Sequence, residues 1–226
     1  MKLVFHGFEY PIELLAGRPS VLQIENSALF ARVCLSLLSG EGRFALEPYT
    51  VWQEDSELKP KDSFLVISDA LSLPWDDRSF MATVIKRMER EFLEDEDLRG
   101  KMEAAEAFLR EKLDSLDMGF NADYEFALQW DLKRYLKYLG FGASYCPDKS
   151  FLDNLLNFLS LALDSGCKRV LVFVNLKNFL TKTELEVLYE HVFYSKLAVL
   201  LLENNVDANV YKYEVKQVVD QHFIES

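Results

Sequence analysis

The sequence predicts an α/β protein: a nucleotide-binding-like domain with a mostly parallel sheet, interrupted by a helical insertion. Three observations carry this. Val170–Val174 and Leu197–Leu202 are short, nearly unbroken apolar runs, which suit strands covered on both faces, as in a parallel sheet. Between them, Thr181-Lys182-Thr183-Glu184 has the spacing of a capping box and opens a helix with Leu185, Leu188, Tyr189 and Val192 at helical spacing. Strand, helix and strand make one βαβ unit, which is expected to be right-handed. Finally, β-branched runs vanish between Pro74 and Leu139, where three helical patterns follow one another. The α/β domain is therefore assigned to residues 1–73 and 140–226, and the insertion to 74–139.

Taken in order, Lys2–His6 and Tyr10–Leu15 read as short strands joined by a turn at Gly7. Ser20–Glu25 is a third strand. Ser27–Leu38 is a helix with Leu29, Phe30, Val33, Leu37 and Leu38 on its apolar side, capped by Asn26 or Ser27. Arg43–Leu46 and Phe64–Ser68 read as further strands separated by the polar stretch Gln53–Asp62. The insertion consists of helices over Ser79–Leu93, Glu103–Leu116 and Tyr124–Leu139, with Gly100 weakening any continuous helix through the acidic linker LEDEDLRG. Gly142–Cys146 reads as a strand and Phe151–Leu163 as a helix. After the βαβ unit, a final strand is expected near His222–Ile224.

A chain of 226 residues can bury a substantial core, and half of its residues are hydrophobic. Its balance is acidic: 37 Asp and Glu against 25 Lys and Arg, a formal net charge of −12. Taken alone, this argues against a general nucleic-acid binder, whose footprint is basic. Basic groups concentrated on one surface of an assembly remain compatible with it. Cys34, Cys146 and Cys167 are scattered and odd in number, which suggests neither a zinc site nor a disulfide framework. The N-terminus has His6, Glu9 and Pro11 where a signal peptide needs its apolar core, and no run is apolar enough to span a bilayer. A cytoplasmic location is expected.

Catalytic chemistry is hard to find. The turn after Ser20–Glu25 stands where a phosphate-binding loop would be, yet it reads IENSALFAR, with no glycine and no lysine. Glu25 adds negative charge there, and the strand Val170–Val174 ends in Asn175 where a metal-binding Asp would stand. His6, His191 and His222 have no nucleophile motif beside them. The reading is a non-enzymatic scaffold; the alternative is a small ATPase or kinase-like enzyme with a degenerate phosphate-binding loop. A protein-interaction module that never touches nucleic acid is a third.

Two surface features remain. Asp114, Asp117, Asp123 and Glu125 fall between two predicted helices, where a loop can turn several hard oxygens inward as calcium requires, although a solvated loop explains them more simply. Lys133 and Lys137 lie one helical turn apart with Arg134 beside them, a small basic patch that symmetry would multiply into a ring. Lys177, in the loop after Val170–Val174, is a second candidate for such a surface.

The strand ending Phe173-Val174-Asn175, the segment Phe179-Leu180-Thr181 with Glu184, the leucine-rich helix and the strand closing on Leu202-Glu203 resemble the CRISPR-associated Csn2 family in its short form. The resemblance implies a non-enzymatic homotetrameric ring, with an α/β head and a helical leg, that encircles double-stranded DNA and loads from free ends. It implies a role in CRISPR spacer acquisition, alongside the integrase and effector nuclease proteins of the same locus. It also implies calcium, through the family's acidic Asp-x-Glu-aromatic segment, matched by Asp123-Tyr124-Glu125-Phe126. Asp123 and Glu125 are thus the implied metal ligands, with Asp117 added at a somewhat different spacing. Lys133, Arg134, Lys137 and Lys177 are the candidate DNA contacts.

Overall fold

A computed structural model describes residues 1–117, 121–122 and 130–225. Its described strands are β1 (Lys2–Phe5), β2 (Ile12–Glu13), β3 (Ser20–Ile24), β4 (Tyr49–Gln53), β5 (Ser56–Leu58), β6 (Phe64–Ile67), β7 (Val170–Val174), β8 (Val199–Glu203) and β9 (Val215–Val219). The described helices are α1 (Ser27–Ser39), α2 (Pro60–Ser63), α3 (Arg78–Glu94), α4 (Glu96–Asp114), α5 (Leu132–Tyr138), α6 (Phe151–Asp164) and α7 (Lys182–Ser195). The chain divides into two compact units. One comprises Met1–Trp75 with Tyr145–Ser226, the other Asp76–Ser144.

The first unit is built on a five-stranded sheet of order β6-β7-β8-β3-β9, parallel at every pairing. A second, antiparallel sheet of order β2-β1-β4-β5 accompanies it. Because side chains alternate along a strand, each central strand of the parallel sheet feeds two cores. Leu22, Ile24, Val170, Val172, Leu200 and Leu202 join one core with Leu29, Val33 and Leu37 of α1 and with Leu3, Phe5, Tyr49 and Val51 of the antiparallel sheet. Val21, Leu171, Phe173 and Leu201 alternate to the opposite face, and all are buried. The buried sides of α6 (Leu155, Phe158, Leu159) and α7 (Leu185, Leu188, Val192) pack together there.

Local chemistry fixes the helix starts. Asn26 caps α1, its Oδ1 accepting from the N–H groups of Ala28 (3.1 Å) and Leu29 (3.0 Å). The capping box on α7 is present as expected: Glu184 N–H donates to Thr181 Oγ1 (3.3 Å), and Thr181 N–H donates to Glu184 Oε2 (2.8 Å). The Thr181 backbone N–H, and then its hydroxyl, hold the Glu184 carboxyl below its usual pKa.

Several expectations are corrected. Arg43–Leu46 is not a strand: residues 42–44 form a 3₁₀ turn, and Phe44 is 90% exposed. Gly42 has φ +59, and a Cβ there would lie 2.6 Å from Pro60 Cγ, so the chain turns tightly before β4 begins. The polar stretch expected to separate strands holds β5 and α2. Gly100 does not interrupt α4; the break from α3 falls at Asp95, which ends one helix and caps the next through its bond from Leu98 N–H (2.9 Å). Gly142–Cys146 is irregular, its backbone held at Cys146 by the side chain of buried Asn154. The last strand is β9, not His222–Ile224, which forms a turn folding Glu225 back onto Val219. Of the predicted helix Tyr124–Leu139, α5 is described and residues 123–129 lie outside the described residues.

Phe173 is fully buried. Phe173→Ala is expected to lower the unfolding free energy by about 3–5 kcal/mol in a denaturant titration, and Thr181→Ala, which removes a helix cap, by about 1 kcal/mol. Equal losses for the two variants would contradict this assignment of core and cap.

Candidate functional site

The basic patch sits on α5 in the second unit. Asp131 caps the helix by accepting from Arg134 N–H (2.8 Å), and Leu136 is its buried anchor. Trp130 packs at a tilt against Phe92 of α3, with ring centroids 5.3 Å apart, and against Tyr135 at 6.4 Å. These contacts fix which side of α5 is covered. Lys133, Arg134 and Lys137 are all exposed, and among the described residues none of them makes an ion pair.

Lys177 is different, and the expectation of a free surface cation there is corrected. Its side chain is only 10% exposed, and its Nζ lies 3.1 Å from Asp207 Oδ2 and 3.2 Å from Glu214 Oε1. It also faces the Tyr211 ring, 5.5 Å from the centroid. Burial and two carboxylate partners leave no charge over for phosphate.

Lys177 belongs to a network at the carboxyl ends of β3, β7 and β8, where open parallel sheets commonly bind ligands. Lys216 of β9 lies 3.1 Å from Asp207 Oδ1 and 3.4 Å from Glu214 Oε1. Gln23, at the end of β3, donates to Asp207 Oδ2 (2.6 Å) and accepts from Asp207 N–H (3.3 Å). Glu203, ending β8, is 1% exposed and accepts from Lys177 N–H (3.1 Å). Asn175, left-handed at φ 53, donates its N–H to Leu202 O (2.8 Å) and accepts from Asn204 N–H (3.0 Å), tying the ends of β7 and β8. Burial pushes the Glu203 carboxyl up to about 7, against the opposing hydrogen bond and charge of Lys177. Burial also acts to raise Asp207, but hydrogen bonds from Lys177 and Lys216 outweigh it and hold that carboxyl well below its usual range. Sequence reasoning missed this network. Its one signal was Glu203 closing an otherwise apolar strand.

The turn from β3 into α1 has no phosphate cradle. The first amides of α1 are already taken by Asn26, and the Glu25 carboxylate accepts from Gln221 N–H (3.2 Å). The expected metal ligands Asp123 and Glu125 lie outside the described residues, and Asp117 ends the 3₁₀ turn Ser115–Asp117. Among the described residues, no group of three or more His, Cys, Asp or Glu side chains is placed to hold a metal. No helix among them is long and apolar enough to cross a membrane.

The profile of the family described as CRISPR-associated protein (Cas_Csn2) matches residues 47–223. The chain belongs to the Csn2 family. The match runs from β4 to β9 and includes the helical insertion. Over 227 aligned residues the chain is 21% identical to a CRISPR-associated protein Csn2 of Enterococcus faecalis, covering 99% of this chain and 97% of that one. A crystal structure of Stu0660 of Streptococcus thermophilus superposes with a TM-score of 0.58 at 15% identity, covering 97% of this chain and 74% of that chain. At that identity the likeness shows the fold, an α/β sheet with associated helices. Membership of the Csn2 family makes this a protein of CRISPR adaptation.

The Glu203 carboxyl generates a pH prediction. Its folded pKa of about 7 stands above the ordinary 4.5, so between these values the folded chain holds more protons than the unfolded one. That stabilisation is complete below the unfolded value and is lost as pH rises through the folded one. Glu203→Gln removes it, so the variant's Tm relative to the unsubstituted chain is expected to climb from about pH 5 to about pH 8. A difference that stays constant over that range would show that Glu203 does not titrate there.

Proposed function

We propose that this Csn2-family protein is a non-enzymatic ring that binds the ends of double-stranded DNA during spacer acquisition. Family membership supports the setting. The observation that carries the DNA-binding reading is the exposed cluster of Lys133, Arg134 and Lys137 on α5 of an otherwise acidic chain, without ion-pair partners among the described residues. A cluster of three charges is weak alone. Repeated around the axis of a homotetramer, it becomes a belt whose field adds in the lumen. Contacts of this kind go to phosphates, so binding is independent of base sequence and steeply dependent on salt. The partners expected are the integrase and effector nuclease proteins of the same locus.

Calcium is part of the proposal. Asp117, Asp123 and Glu125 supply hard carboxylate oxygens, the donor type calcium prefers, with backbone and water oxygens completing the shell of about six to eight. Bound metal would neutralise part of the chain's negative charge and stabilise the state that binds DNA.

Linear duplex and covalently closed circles of the same sequence separate encirclement from groove binding. Linear DNA is expected to bind in the presence of calcium, and closed circles are expected not to. Equal affinity for both would rule out a ring that threads ends. Separately, Asp123→Ala with Glu125→Ala is expected to weaken calcium binding and to abolish the fall in Tm that a chelator causes. Wild-type calcium affinity in the double variant would place the ligands elsewhere.

A further inference from the structure

The two long helices of the second unit carry their positive charge in different ways. On α4 every cation is matched: Arg99 with Glu103, Lys101 with Asp97, Arg110 with Glu106 and Lys112 with Glu111. Most of these pairs are four residues apart, the spacing at which a helix neutralises itself. On α3, Arg87 and Arg90 reach forward to Glu91 and Glu94. Arg78 and Lys86 have no such partner: both are exposed, and among the described residues neither makes an ion pair. Residues 78–88 contain no acidic residue at all, in a chain of net charge −12.

Geometry gives these two cations a common outlook. Eight helical residues carry Lys86 about 12 Å along the axis from Arg78 and roughly 80° around it. Buried Phe80 lies about 160° around the helix from Arg78 and about 120° from Lys86, so both cations stand away from it. A DNA duplex presents a phosphate charge about every 1.7 Å of its axis, so two cations at this separation each meet a phosphate of their own. An unpaired cation gains the counterion release of that contact in full, whereas a paired one must first give up its carboxylate. Helix α5, with Lys133, Arg134 and Lys137, packs directly against α3.

We propose that the N-terminal half of α3 is a second phosphate-contacting surface for duplex DNA, with Arg78 and Lys86 as its contact residues beside the cluster on α5. The proposal rests on the DNA-binding reading above. It assigns α4 no part, because its cations are neutralised within the helix.

The test measures affinity for a short linear duplex across a salt series, in the presence of calcium, for the full chain and three variants. Arg78→Ala with Lys86→Ala is expected to bind at least several-fold more weakly. Its logarithmic salt slope is expected to be shallower by about 1 for each cation–phosphate pair removed per engaged protomer. Arg78→Gln with Lys86→Gln, which keeps most of the side-chain length, is expected to weaken binding as much, because charge rather than reach is removed. Lys101→Ala with Lys112→Ala, on α4, is expected to leave both affinity and slope unchanged. A double α3 variant with the parent's slope overturns this inference while leaving DNA binding intact. Equal losses from the α3 and α4 variants also overturn it, since general charge and not a defined surface would then be at work. Failure of the unsubstituted chain to bind any duplex overturns the DNA-binding reading and this inference together.

Discussion

The structure depends on three strands buried on both faces. β3, β7 and β8 expose almost nothing, so the apolar side chains along them belong to one core or the other. Each face therefore has to be covered, and the chain supplies α1 with the antiparallel sheet for one side and α6 with α7 for the other. Burial on this scale leaves little room for polar chemistry within the sheet. Polar groups collect where the strands end, and most of them pair with one another there, although Glu214 Oε2 is buried without a hydrogen-bond partner. Lys177, Lys216, Asp207, Glu214 and Gln23 pair with one another there, beside a cavity of about 280 Å³ that Lys177, Glu203 and Asp207 help to line.

The same network also holds an edge strand. β9 pairs only with β3 within the sheet, and its burial is partial. Lys216 links it to Asp207, while Gln217 donates to Glu225 (2.8 Å) where the C-terminal turn folds back. The network is thus a structural clamp between loop and sheet. In the helical unit, the exposed cations that make no ion pair among the described residues lie on α5 and on the first half of α3.

The sequence was legible where a single physical demand dominated. β7 was readable to the residue because both-face burial permits only apolar side chains, and α7 because Thr181 and Glu184 satisfy each other locally. It was opaque where tertiary partners decide. Arg43–Leu46 looks like a strand until Gly42 is seen to turn against Pro60. β9 looks too polar until Lys216 and Gln217 are given their distant partners. The candidate site divides in the same way: the α5 cations are exposed as their helical spacing implied, but Lys177 was misread because Asp207 and Glu214 lie 30 and 37 positions further along the chain.

The insertion leaves the first unit after β6 and returns before α6, yet β6 and β7 are hydrogen-bonded neighbours, with Phe64 opposite Val170. Joining them requires the ends of a segment of roughly a hundred residues to meet, an entropic cost that grows with the logarithm of the loop. A leg already folded shortens the effective loop and lowers that cost. The expected order of assembly follows: α3, α4 and α5 form from local contacts before the long-range pairing of β6 with β7. On the ribosome the same constraint is absolute, because β7 and β8 are made only after the whole leg has been synthesised.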